Sequence, residues 1–288
     1  MANKSRFIVA ESSIKNFFKN GNRRVYAREQ LGDVLDQNRA LWNLPFSMNT
    51  ERFIERLLKS EILSKNEIVF IADLSKKERY LTPDASVFQV AVSLVNKSYL
   101  SHFTAVYLHG LTNQIPKTIY ISFEQSKKIN VDRELTQKAI DSAFSKPQRK
   151  SGKTTIYEGY TFLLHNGMYS NRTGVFPLND LPITNIERTL IDIAVRPGYA
   201  GGVDLVLDIY KKAANKISMN KLIAILDKLN FIYPYHQAIG FYLEKAGLGD
   251  EKLEVLRQRK IAFDFYLTYE IIEKEYSETW KLYYPKGM

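Results

Sequence analysis

The sequence predicts an α+β protein of two domains, and three observations carry that expectation. Residues 1–82 show three amphipathic helical patterns followed by two short strand-like runs. From Pro83 to the stretch around Ile186, helical patterns alternate with runs of β-formers. From Gly202 onward the apolar period is helical through three more segments, before an aromatic end, "IAFDFYLTYEIIEKEYSETWKLYYP", that should supply a last strand or two.

The first helix is expected at "SSIKNFFKN", where serines can cap, Ile14, Phe17 and Phe18 fall at i, i+3 and i+4, and Asn20-Gly21 ends the run. "VYAREQLGDVLDQN" gives a second, with Leu31, Val34 and Leu35 on one side. "RALWNLPFS", broken by Pro45, connects it to the clearest of the three, "MNTERFIERLLKSEIL". There Asn49 or Thr50 can cap, Phe53, Ile54, Leu57 and Leu58 form an inward stripe, and Arg52, Glu55, Arg56 and Lys59 stay outside. "ILSKNEIVFIADLSKKERYLT" then reads as two short strands. Helix, helix, turn, helix and hairpin is the order of a winged helix-turn-helix, which sets the first domain at residues 1–82. Arg52 and Arg56 lie four residues apart and project together toward guanine edges, while Lys59 and the capping amides suit phosphate. Arg23, Arg24 and Arg28, at the start of the second helix, are natural backbone contacts. The competing reading is a small helical protein-interaction domain, since Glu51 and Glu55 dilute the charge.

Residues 83–288 are expected to form a larger mixed α/β domain with a helical C-terminal part. "TPDASVFQVAVSLVNKS" predicts a helix starting near Pro83-Asp84, where a missing N–H costs little. In "YLSHFTAVYLHGLTNQIPKTIYIS", Ser101 should cap a helix carrying Phe103, Val106, Tyr107 and Leu108, and Gly110 should end it before the strand "KTIYISF". "DRELTQKAIDSAF" predicts a helix, and "TTIYEGYTFLLHNG" a hairpin around Glu158-Gly159. "ITNIERTLIDIAV" offers a capping box of Thr184 and Glu187, with Glu187, Arg188 and Asp192 able to form an internal ion-pair network. "VDLVLDIYKKAANK", "SMNKLIAILDKLN" and "PYHQAIGFYLEKAG" are the three late helices.

The net charge of +10 is concentrated. Residues 1–82 hold 15 Lys+Arg against 10 Asp+Glu, and residues 127–153 hold 8 against 3. The second patch, Lys127, Lys128, Arg133, Lys138, Arg149, Lys150 and Lys153, falls wholly within the larger domain as bounded above. Two such regions suit a polyanion, nucleic acid above all, although a Lys-rich segment is also an ordinary solvated surface. With 45% hydrophobic residues the composition is globular. No apolar run reaches the ~20 residues of a membrane span, and "MANKSRFIVAESS" is too short in its apolar part for a signal peptide. No membrane partner and a cytoplasmic location are expected.

Catalytic motifs are missing from the sequence. There is no cysteine, hence no thiolate zinc site and no thiol nucleophile. His102 and His109 lie seven residues apart, ~10 Å on one helix face, too far to share a metal. "SGKTT" fails as a phosphate loop because Pro147 stands where its first glycine belongs. The chain contains no Glu-x-Lys, so the nuclease pattern of Asp followed by Glu-x-Lys is absent. Asp204 and Asp208 sit early in a helix, where the macrodipole favours negative charge. No catalytic residue, metal or cofactor is therefore expected, and His102 and His109 are assigned to a helix-to-strand joint.

"YLSHFTAVYLHGLTNQIPKTIYIS", "ITNIERTLIDIAVRPGYAGGVDLVLDIY" and "YPYHQAIGFYLEKAG", in that order, resemble the AbiEi antitoxin family over nearly the whole chain. The resemblance implies a winged-helix N-terminus that represses its own operon by binding operator DNA at inverted repeats. It also implies a C-terminal domain that counters an AbiEii-like, nucleotidyltransferase-like toxin without a stable complex, as in type IV toxin–antitoxin pairs of abortive infection. A stand-alone regulator, a nuclease-like enzyme and an RNA- or protein-binding module are the alternatives.

Overall fold

The computed structural model describes residues 5–127 and 134–288, and the chain is mixed α+β. It divides into two compact units, one running to Ser98 and taking in Lys153–Phe162, the other comprising Tyr99–Gly152 and Leu163–Met288. The division expected at Thr82-Pro83 thus falls inside the first unit, because the chain past Pro83 packs back on it.

In the first unit, α1 (Arg6–Asn20) starts well before the serines read as its cap. Phe7 and Ala10 continue the stripe of Ile14 and Phe18, so the buried face runs its whole length. Val25–Tyr26 forms β1 instead of the first turn of the next helix. After it come α2 (Arg28–Asn38), α3 (Thr50–Lys59), β2 (Ser64–Val69) and β3 (Lys76–Leu81). The three strands make an antiparallel sheet in the order β1-β3-β2, with Ser64 opposite Leu81 and Val69 opposite Lys76. Phe7, Phe18, Leu31, Leu35, Trp42, Phe53 and Leu57 form the core beneath the helices, with the Trp42 indole stacked on Phe53 at 5.9 Å. α4 (Val87–Ser93) lies against β1 and starts later than the proline suggested: Ser86 is its cap and Gln89 closes the capping box. The hairpin predicted around Glu158-Gly159 turns there, both residues having positive φ (48° and 79°). Its first strand, β6 (Thr154–Tyr157), lies beside the end of β2, where Ile71 N–H donates to the Thr154 carbonyl at 2.9 Å.

The second unit begins with β4 (Tyr99–Leu100), α5 (His102–Leu108), β5 (Thr118–Glu124) and α6 (Gln137–Phe144), the last shorter than the sequence suggested and capped by Thr136. β7 (Tyr160–Gly167), which enters this unit at Leu163, β8 (Val175–Leu178) and β9 (Leu181–Thr184) complete a sheet ordered β7-β5-β4-β9-β8, in which β4 and β9 are parallel. α7 (Ile186–Val195) carries the buried residues Leu190 and Ile191. It is surrounded by α8 (Val203–Ala213), α9 (Met219–Leu229) and α10 (Tyr235–Lys245). α11 (Asp250–Arg257) was not read from the sequence; its eight residues begin straight after a glycine-containing turn. The aromatic end forms a small sheet of β10 (Phe265–Tyr266), β11 (Lys274–Ser277) and β12 (Leu282–Pro285) in the order β10-β12-β11. No described helix is long and apolar enough to cross a membrane.

Candidate nucleic-acid interface

α3 is placed by its own sequence. Asn49 Oδ1 accepts from Arg52 N–H at 3.0 Å and so fixes the first turn. Phe53, Ile54 and Leu57 are buried, which turns Glu51, Arg52, Glu55, Arg56 and Lys59 to solvent. Thr50 is half-buried, its hydroxyl close against Gly32 of α2, so it serves the α2–α3 contact. The Arg52 guanidinium donates to the Ser47 carbonyl at 3.0 Å. Arg56 and Lys59 are exposed along the same helix.

The arginines near the start of α2 divide into two kinds. Arg24 is half-buried and committed within the unit: its Nε pairs with Asp84 at 2.7 Å, and its Nη1 donates to the Gly21 carbonyl. Arg28 pairs with Glu51 across the two helices. Arg23 is exposed, with its guanidinium 5.8 Å from the centre of the Tyr26 ring. In the β2–β3 hairpin the lysines are matched by acids, Lys65 with Glu78 at 2.5 Å and Lys76 with Glu67 at 2.9 Å. Among the described residues, Arg56 and Lys59 of α3 and the exposed Arg23 have no acidic side chain within ion-pair distance, while Glu55 shares the outer face of α3.

The second basic segment does not form one cluster. Lys127, Lys138, Arg149 and Lys150 are exposed residues of the second unit. Lys153 belongs to the first, 3.8 Å from Asp73 and 5.0 Å over the Phe70 ring, which corrects the expectation that the whole patch lies in the larger domain. Lys128 and Arg133 lie outside the described residues.

The histidines form a joint, with different partners from those the sequence suggested. His109 caps α5, but its Nε2 donates to the Thr184 carbonyl at the end of β9, 2.7 Å away, and its ring stacks on Phe176. Ser101 occupies the N-cap position without capping; its hydroxyl bridges His102 Nδ1 at 2.9 Å and Ser122 Oγ at 2.7 Å. The His102 ring meets His165 (5.5 Å), Tyr199 (5.1 Å) and Tyr120 (5.9 Å), a cluster drawn from α5, β7, β5 and the short 3-10 turn Pro197–Tyr199. Burial pushes His102 down to about 3, with Arg196 and Arg188 adding to it, and burial does the same to His165. Both rings are neutral at pH 7. Ser101 is fully buried. Among the described residues no group of three or more His, Cys, Asp or Glu is placed to hold a metal ion.

The start of α7 also differs from its expected form. Asn185, one residue after Thr184, is the cap, accepting from Arg188 N–H at 2.8 Å, because Thr184 still belongs to β9. Glu187 turns away and accepts from Ser218 N–H at 3.1 Å, capping α9 from outside. Arg188 and Asp192 do pair, at 2.7 Å and almost fully buried, and Arg188 also donates to the Thr173 carbonyl. That network ties α7 to the segment before β8.

No family model matches the chain, and no curated protein matches it. The crystal structure of the RV2827C protein from Mycobacterium tuberculosis has a similar fold, with a TM-score of 0.56 at 13% sequence identity. The match covers 96% of this chain and 91% of that one.

Proposed function

We propose that the chain is a DNA-binding transcriptional repressor whose first unit is a winged helix-turn-helix. The observation that carries this reading is the outer face of α3, where Arg52, Arg56 and Lys59 are exposed on a helix seated by Phe53, Ile54 and Leu57 and followed by a β-hairpin. A helix so built can lie in a major groove with its first turns at the base edges. In this reading Arg56 and Arg52 meet bases, Lys59 and Arg23 meet phosphates, and Arg24 and Thr50 hold the module together. The partner is operator DNA carrying inverted repeats, the protein is cytoplasmic, and no catalytic step, metal or cofactor is involved.

The family resemblance supports the further role of antitoxin in a type IV pair, countering a nucleotidyltransferase-like toxin without a lasting complex. A nucleotidyltransferase-like reading frame beside the gene would favour that role. Without one, a stand-alone regulator is the reading.

Gel-shift titration on the DNA upstream of the gene, at two salt concentrations, tests the core of the proposal. Arg56→Ala should weaken binding by ~1–3 kcal/mol and relax sequence preference. Arg52→Ala should do the same, with an added effect through the lost bond to Ser47. Lys59→Ala should weaken binding to every sequence alike and flatten the salt slope. Undiminished affinity in both arginine variants would sink the assignment of α3.

A further inference from the structure

The connection between α2 and α3 runs from residue 39 to residue 49, where a turn of three or four residues joins the helices of a typical helix-turn-helix. The extra length is built into the unit. Trp42 and Leu44 bury themselves in the core. Arg39 Nη1 donates to the carbonyls of Pro45 (2.9 Å) and Met48 (2.8 Å), and Met48 N–H closes a turn on Pro45 at 2.9 Å. At the apex of that turn stands Phe46, 96% exposed.

An aromatic ring held on an anchored turn and left in water forgoes the stabilisation its burial would give. Its position gives it a use. The next residue, Ser47, is bound by the Arg52 guanidinium. Pro45, Ser47 and Met48 line a surface cleft of about 320 Å³ together with Arg52, Glu55 and Arg56. Phe46 therefore flanks the first turn of α3, the part of such a helix that meets base edges. The major groove offers an apolar target at that depth, the C5-methyl of thymine, which Phe is suited to contact.

We propose that Phe46 is a specificity-determining residue that packs against a thymine methyl in the major groove, beside the bases reached from α3. The inference rests on the DNA-binding reading above and adds to it an apolar base contact from outside the helix.

The test uses the full chain and the duplex upstream of its own gene. Phe46→Ala should weaken binding about fivefold or more, at an unchanged salt slope, because no phosphate contact is lost. Its melting temperature should match the parent, the ring being exposed. Replacing the thymines one at a time by deoxyuridine should reveal a position where the missing methyl weakens the parent chain and leaves Phe46→Ala unaffected. Equal affinity of Phe46→Ala and the parent overturns the proposal, and so do deoxyuridine penalties that are the same in both. If sedimentation shows that Phe46→Ala has lost self-association along with DNA affinity, the ring is a protein contact and the proposal fails. Arg56→Ala on the same duplex separates the levels. Loss of affinity there with none in Phe46→Ala removes only this inference, whereas a parent chain that prefers no sequence removes the reading beneath it.

Discussion

The six-membered ring of the Trp280 indole packs close against Gly240 in the middle of α10, in the space that a β-carbon there would take. A methyl group at Gly240 would come within 2.2 Å of Trp280 Cζ3, and Trp280 itself is fully buried. Its Nε1–H donates to Glu244 at 3.0 Å, one turn further along the same helix, so a shift of the ring would strain that bond as well as its packing. Glycine inside a helix costs about 1 kcal/mol against alanine, and here the close approach of the ring explains it. Gly240→Ala should therefore destabilise the protein by roughly 1–3 kcal/mol despite its better propensity. Urea unfolding followed by tryptophan fluorescence measures it, and a variant as stable as the parent would mean that the indole can move aside.

Arg188 and Asp192 are a buried pair on α7, and the second hand of Arg188 holds the Thr173 carbonyl. Burial raises the Asp192 carboxyl above its usual range, while the adjacent guanidinium acts to lower it. Removing the arginine strands a carboxylate and a carbonyl in the interior. Arg188→Met should cost about 3–5 kcal/mol, and Arg188→Met combined with Asp192→Leu should recover most of that loss. A double variant no better than the single one would place the importance of Arg188 in its contact with Thr173 instead of the ion pair.

The histidine joint makes stability depend on pH in a defined window. His102 is held down to about 3 by burial, so above its unfolded value of about 6.5 neither state binds the proton. As pH falls below that value the unfolded chain takes up a proton that the folded chain refuses. Stability is thus fully present above about pH 6.5 and is lost on the way down to about 3, at up to about 1.4 kcal/mol per pH unit from this residue. His165 is shifted in the same direction and adds to the slope. His102→Phe, which keeps a ring against Tyr199 and Tyr120, should flatten the decline between pH 6 and 4 in denaturant titrations. An unchanged slope would assign the acid sensitivity to other groups.

Periodicity made the helices legible, because burial of one face is a local pattern: Phe53, Ile54 and Leu57, or Leu190 and Ile191, declare their faces within a few residues. Caps were less legible: α1 starts well before the serines read as its cap, and α4 starts after the proline read as its first turn. Thr184 and Asn185 are both good capping types, and what decides between them is that the sheet claims Thr184 for β9. The candidate site was visible in part. The outward basic face of α3 follows from its stripe, but the commitment of Arg24 to Asp84 and of Arg28 to Glu51 depends on tertiary contacts with no spacing signal. The same holds for His102, His165, Tyr199 and Tyr120, which come from four separate segments. Phe46 carried a usable signal: a bulky aromatic after Pro45, outside both helical stripes, on a connection longer than its helices require.

The remaining basic residues set the last expectation. Arg149 and Lys150 are exposed in the second unit, while the Arg149 carbonyl accepts from Arg196 at 2.8 Å, so the backbone is anchored with both side chains in water. Reversing both charges leaves that anchor in place, and the fold should change by no more than the ~0.5 kcal/mol usual for surface substitutions. If these residues touch phosphate, Arg149→Glu with Lys150→Glu should weaken DNA binding on all sequences and lower the salt slope by about two. If they bind an RNA or other polyanion needed to counter a toxin, repression should stay intact while protection of toxin-expressing cells falls. Gel shifts at several salt concentrations, run beside a co-expression growth assay, tell these outcomes apart. Repression and protection both at the parent level would leave this pair as solvated surface.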